Sequence, residues 1–186
     1  MQREIERFYR LERAPSVETF LRHAADGERE TVRIRDAEDG AVEIEVLAPA
    51  LTDEPDLDSV CQLIEGVSHF VYVADRARTG LPATQLELEL QAEVDKFVLL
   101  ALLGDRFDTA AARSIHARLY ESVSFCHPEG SEAGDRYRLA NDLAARLVRR
   151  LQVLYVEKGR DRDLRDALSR FYRMGQTGKI AFARAA

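Results

Sequence analysis

The chain has 186 residues, of which 46% are hydrophobic, and a net charge of −6, a composition typical of one globular domain. Its longest apolar run, residues 97–103, is too short to cross a bilayer, and the charged N-terminus has no signal-peptide core. Two isolated cysteines, Cys61 and Cys126, argue against a disulfide framework or a thiolate zinc cage, so we expect a cytoplasmic protein without membrane segments.

The N-terminal segment predicts two short helices. The first covers residues 3–12, where apolar side chains recur on one side. The second lies around Val17, Phe20 and Leu21, and Ser16 is placed to be its N-cap.

The following segment changes to a period of two, which is typical of strands with one buried face. Two alternating runs flank Asp39-Gly40, a dipeptide that favours a tight hairpin turn. The outward residues are arginines on one run and glutamates on the other, which supports antiparallel pairing. The inward residues are Val32, Ile34, Val42, Ile44 and Val46.

Two long helices are predicted after a linker at residues 48–56. The first covers about 57–78 and is closed by Gly80. The second covers 84–103, and Thr84 with Glu87 forms a capping box at its start. Apolar residues lie on two sides of the second helix, so we expect this helix to be central. We expect the row of polar residues around His69 on the first helix to face outward.

Three further helices complete the predicted bundle, over about 107–126, 135–157 and 163–174, the last with a possible extension to residue 182. The fold class is therefore α+β, mostly α, with N-terminal helices and a β-hairpin packed on a bundle of about five helices. We expect a single domain over 1–186, divided into subregions 1–55 and 56–186, because a lone hairpin cannot bury its apolar face.

A row of polar residues on the first long helix is the main candidate for chemistry. Glu65, His69, Tyr72 and Arg76 recur at spacings of four, three and four, so they lie on one helix side. They are the weak catalytic candidates, with Glu93 from the next helix. Because the row lies opposite the apolar stripe, we favour either a solvated face with local ion pairs or a surface covered by another element over an active site.

The best metal-ligand set from the sequence combines Glu65, His69 and Glu93. It does not match a di-iron carboxylate bundle, which requires Glu-x-x-His on two helices. Here the glutamate precedes the histidine by four residues, and the chain has no second copy. No complete cofactor motif is present, so we expect no cofactor.

Charge is distributed unevenly along the chain. Residues 134–186 carry 13 basic and 6 acidic residues, whereas the rest of the chain is strongly acidic. The leading hypothesis is therefore a non-enzymatic protein that binds a protein partner or itself, for instance as a homodimer. The first alternative is a metal-binding protein or enzyme using the set above. Nucleic-acid binding by the arginine-rich C-terminal third is a second alternative that the sequence does not favour, because acidic residues interrupt the basic ones.

Overall fold

The computed structural model describes residues 1–25, 28–36, 42–102 and 108–185. Within these ranges the chain forms seven α-helices and one three-stranded sheet, which confirms the predicted α+β, mostly helical fold class. The elements are α1 (Gln2–Tyr9), β1 (Leu21–His23), β2 (Thr31–Asp36), β3 (Val42–Ala48), α2 (Leu57–Thr79), α3 (Gln85–Ala101), α4 (Thr109–Tyr120), α5 (Glu132–Leu154), α6 (Asp161–Arg173) and α7 (Gln176–Arg184).

The sheet contains the predicted antiparallel pair and one additional strand. Strands β2 and β3 pair antiparallel, and Arg33 lies opposite Glu45 with 3.2 Å between guanidinium and carboxylate. This pairing confirms the register that the alternating charges predicted. The turn at Asp39-Gly40 lies outside the described residues.

The predicted second N-terminal helix is wrong. Only Val17–Thr19 forms a single 3₁₀ turn, and the Ser16 side chain makes no capping hydrogen bond. The chain then enters β1, which pairs parallel with β3 so that Leu21 lies beside Val46. Without β1, one edge of β3 would present unpaired backbone groups, and satisfying these groups outweighs a weak local helix preference.

The two long helices form where the sequence predicted them. The Asp56 side chain caps α2 by accepting from the Ser59 amide, and Gly80 ends it in the left-handed region at a φ of 67°. Both hydrogen bonds of the capping box between Thr84 and Glu87 are present at the start of α3. Helix α3 packs against α2, α4 and α5, which confirms that it is central.

The other predicted helix boundaries require correction. Helix α4 is shorter than predicted, α5 begins three residues earlier, and residues 103–107 lie outside the described ranges. The last helix does not continue to residue 182, because Met174 is extended at a ψ of 147° and α7 starts separately. Arg76 donates a hydrogen bond of 2.6 Å to the Met174 carbonyl at this break between α6 and α7.

The core is built around α3 and is continuous with the inner face of the sheet. Leu90 and Val94 of α3 are fully buried with Leu147 of α5, and Val46 brings the sheet into the same cluster. None of the helices in the described ranges has the length and apolarity that a membrane crossing requires. Helix α2 is thus covered by α3 on one side and by the sheet on another. The polar residues of α2 lie between these two elements.

Candidate metal centre

The polar row on α2 is buried, so it is not a solvated face but, as the other predicted possibility had it, a surface covered by another element. Glu65 is 8% exposed, His69 6%, Tyr72 0% and Arg76 6%. Helix α3 covers the row on one side, and the segment leading into β2 covers it on another. Charged groups in such a position require partners, because burial without them is costly.

The four residues of the row do not converge on one site. Tyr72 and Arg76 form a separate cluster, in which Arg76 bonds to the Tyr72 hydroxyl and lies 3.6 Å from Glu87. Together with its bond to the Met174 carbonyl, this arrangement makes Arg76 a clamp between α2, α3 and the α6–α7 junction. Tyr72 and Arg76 are therefore structural, and they leave Glu65 and His69 as the chemical part of the row.

Glu65 and Glu93 share the ammonium group of Lys96. The Lys96 Nζ atom lies 2.8 Å from Glu65 Oε2 and 2.8 Å from Glu93 Oε1. Although burial disfavours the charged amine, the two carboxylates raise the pKa of Lys96 well above its usual value. Burial alone would raise the pKa of Glu65, but the neighbouring Lys96 and His69 lower it, so this ion pair is charged at neutral pH.

His69 is surrounded by carboxylates from three parts of the chain. Its Nδ1 atom lies 3.3 Å from Glu30 Oε1, and its Nε2 atom lies 3.7 Å from Glu89 Oε2. Glu65 is one helical turn away on α2. Among the described residues, His69 Nε2 and Glu30 Oε1 are buried without a hydrogen bond of good geometry.

The structure replaces one residue of the predicted ligand set. Ligand atoms of Glu65, His69 and Glu89 lie within 4.8 Å of one another, and all three residues are buried. Glu93, the predicted third ligand, instead bonds to Lys96. Glu89 lies one turn before Glu93 on the same side of α3, so the sequence located the helix and the side but not the turn.

The two groups that face each other in this cluster have shifted pKa values. Burial would lower the pKa of His69, but contact with Glu30 and the charges of Glu89 and Glu65 raise it to about 9. Burial raises the pKa of Glu89 to about 7, with His69 opposing and the other two carboxylates reinforcing the shift. Without another cation, the cluster therefore retains protons on His69 and partly on Glu89 at neutral pH.

A cavity of about 870 Å³ borders the cluster. Glu30, Glu65 and Lys96 belong to its inner wall, and Tyr137 of α5 lies beside them. Burial, together with the negative charges of the cluster, raises the pKa of the Tyr137 phenol, which therefore remains a hydrogen-bond donor. The cavity thus reaches Glu65, whereas His69 and Glu89 lie behind its lining.

A second buried polar network lies on the other side of α3. Asp95 accepts hydrogen bonds from Tyr9 at 2.5 Å, Ser68 at 2.6 Å and Gln91 at 2.9 Å. The Gln91 carbonyl in turn accepts a hydrogen bond of 2.6 Å from Lys179 of α7, which is fully buried. Because its members bond to one another, this network ties α1, α2, α3 and α7 together.

Comparison with known proteins adds no assignment. No protein-family model matches this chain, and neither a curated protein nor a solved structure shows significant similarity to it. Function must therefore be inferred from the side chains themselves, of which Glu65, His69 and Glu89 form the most distinctive group.

Proposed function

We propose that this protein binds one divalent metal ion through Glu65, His69 and Glu89. The observation that carries the proposal is His69 Nε2, a buried nitrogen without a hydrogen bond that faces the Glu89 carboxylate. Imidazole nitrogens and carboxylate oxygens are common metal ligands, with bonds of about 2.0–2.2 Å. The three side chains need to close in by only about 1 Å to reach such distances.

The charge balance of the cluster supports this proposal. Among the described residues, four buried or half-buried carboxylates, from Glu30, Glu65, Glu89 and Glu93, have two permanent cations within 4 Å. These cations are Lys96 and Arg136, whose Nε atom is 3.7 Å from Glu89. Once His69 and Glu89 give up the protons that they retain without a metal, these contacts leave an excess of two negative charges, which one divalent ion neutralises.

The ligand set favours a borderline transition metal. One imidazole with two carboxylates suits Zn²⁺, Mn²⁺ or Fe²⁺, whereas Ca²⁺ takes six to eight oxygen ligands. Three protein ligands leave at least one coordination position for water or for a small molecule from the cavity.

Calorimetric titration of the purified, chelator-treated protein with Zn²⁺ and with Mn²⁺ tests the proposal. We expect one ion per chain for at least one of the two metals. Thermal unfolding gives an independent readout, because a ligand at 100 times its Kd adds about 2.7 kcal/mol to the free energy of unfolding. Absence of saturable binding of either metal would overturn the proposal.

A matched pair of variants identifies the ligand. Glu89→Gln should weaken binding by more than about 100-fold, since losing a ligand costs more than the 10–100-fold typical of an outer partner. The variant should fold, because the carboxyl it replaces already has a pKa of about 7. Glu93→Gln removes the same charge one turn away on α3 and should retain most of the affinity. Equal losses in the two variants would indicate nonspecific attraction to acidic groups.

The other hypotheses from the sequence remain predictions. Several arginines of the basic C-terminal third bond within the chain, such as Arg150 to the Phe182 carbonyl and Arg173 to the Tyr9 carbonyl. This engagement does not favour nucleic-acid binding. Native mass spectrometry tests self-association directly, because it reports the number of subunits together with any bound metal.

A further inference from the structure

Glu30 reaches the group formed by Glu65, His69 and Glu89 from outside the helical bundle. It lies just before β2, and its side chain is only 5% exposed although the neighbouring residues are on the surface. The Glu30 amide donates a hydrogen bond of 3.1 Å to the Gln62 side chain of α2. Arg29 beside it makes two hydrogen bonds to Asp58, also on α2. The backbone here is therefore fastened to α2, with the Glu30 carboxylate pointing inward.

Gly66 makes the close approach of Glu30 possible. A Cβ atom at Gly66 would lie 3.0 Å from Val46 Cγ1, 3.2 Å from Glu30 Cγ and 3.4 Å from Glu30 Oε1. A glycine inside a helix costs about 1 kcal/mol relative to alanine. Helix α2 carries this cost at the position where both the sheet and Glu30 lie against it.

The geometry gives Glu30 a definite role relative to the imidazole. Its Oε1 atom is 3.3 Å from His69 Nδ1, on the side of the ring away from Glu89. A histidine that binds a metal through one nitrogen almost always donates its other N–H to a carboxylate, carbonyl or water. This donation fixes the tautomer, so that the Nε2 lone pair is available for the ion.

We propose that Glu30 is the outer partner that orients His69 for the metal, and that it thereby couples metal occupancy to the docking of the β-sheet on α2. The inference rests on the proposed metal binding. An ion at His69 Nε2 favours donation from the Nδ1–H to Glu30 Oε1, 3.3 Å away, and Glu30 belongs to the segment that leads directly into β2. Metal binding therefore holds β2 and β3 more firmly against the helix.

Affinity measurements on three variants test the role of Glu30. Glu30→Gln should lower the affinity for the metal that binds wild-type protein by about 10–100-fold, with one ion still bound per chain. Gly66→Ala should also lower it, because Glu30 must move away by a few tenths of an ångström. Glu28→Gln is the control: it removes an equal charge from an exposed position two residues earlier and should leave the affinity nearly unchanged.

Hydrogen exchange distinguishes coupling from a merely structural effect. In wild-type protein, metal should slow exchange of the β2 and β3 amides. In Glu30→Gln saturated with the same metal, these strands should exchange nearly as fast as without metal, while α2 and α3 remain protected. Strand protection in Glu30→Gln equal to that in wild type would overturn the coupling.

The absorption spectrum of bound Co²⁺ shows whether Glu30 is an outer partner or a ligand. An outer partner leaves the bands of Glu30→Gln close to those of wild type, because the coordinating atoms are unchanged. A different spectrum would make Glu30 a ligand and overturn its assignment as an outer partner. If wild-type protein binds no metal, both proposals fail. If it binds metal and Glu30→Gln binds equally well, only this inference fails.

Discussion

Replacing Asp95 with alanine should strongly destabilise the protein, because one carboxylate satisfies three buried donors. The donors are the Tyr9 hydroxyl, the Ser68 hydroxyl and the Gln91 amide. A buried donor left without an acceptor costs about 1–3 kcal/mol. Burial raises the pKa of Asp95, so removing the carboxyl also relieves some desolvation. We therefore expect a net loss of about 3–5 kcal/mol.

Urea unfolding followed by far-ultraviolet circular dichroism measures this loss. It is a large part of the roughly 5–15 kcal/mol that stabilises a typical domain. Ser68→Ala and Tyr9→Phe each remove a single donor and should cost about 1 kcal/mol. If Asp95→Ala costs no more than either single-donor variant, the carboxylate is not the centre of the network and our reasoning is wrong.

Three further predictions concern charge and cooperativity. Burial holds the pKa of Lys179 well below its usual value, so the unfolded chain binds more protons there. The free energy of unfolding of wild type, relative to that of Lys179→Met, should consequently rise with pH up to the pKa of lysine in the unfolded chain, by at most about 1.4 kcal/mol per pH unit. Urea unfolding at several pH values measures it, and a difference between the two proteins that stays constant or falls with pH would contradict the prediction. Lys96→Met should lower the free energy of unfolding by about 3–5 kcal/mol at neutral pH, since it leaves the buried Glu65 and Glu93 carboxylates without their cation. A loss below about 1 kcal/mol would show that the ion pair is dispensable. The single domain predicted from the sequence should unfold in one transition, so that unfolding curves followed by tyrosine fluorescence and by circular dichroism have the same midpoint. Two different midpoints would show that the chain contains two independently unfolding units.

The position of the site was only partly predictable. The helical spacing of Glu65 and His69 identifies these two residues as candidates. The choice of Glu89 over Glu93 depends on how α3 is rotated and how far it slides along α2. Nothing in the local sequence of Glu30 indicated its role, and the only related signal was Gly66 in the middle of a helix.

The sequence by itself determined the elements whose signals are local. The Thr84 capping box and the terminal Gly80 act within one helical turn, and the alternation of arginines and glutamates acts across one hairpin. Each of these signals fixes backbone hydrogen bonds between near neighbours, so it can be read without knowledge of the rest of the chain.

Only the tertiary structure decided which polar side chains lose water. The row at Glu65 and His69 has an ordinary surface pattern, yet α3 and the segment before β2 bury it. Burial depends on the combined packing of elements far apart in the chain. A buried charge is stabilised only by partners that the same packing supplies, so its environment cannot be inferred from its neighbours in sequence.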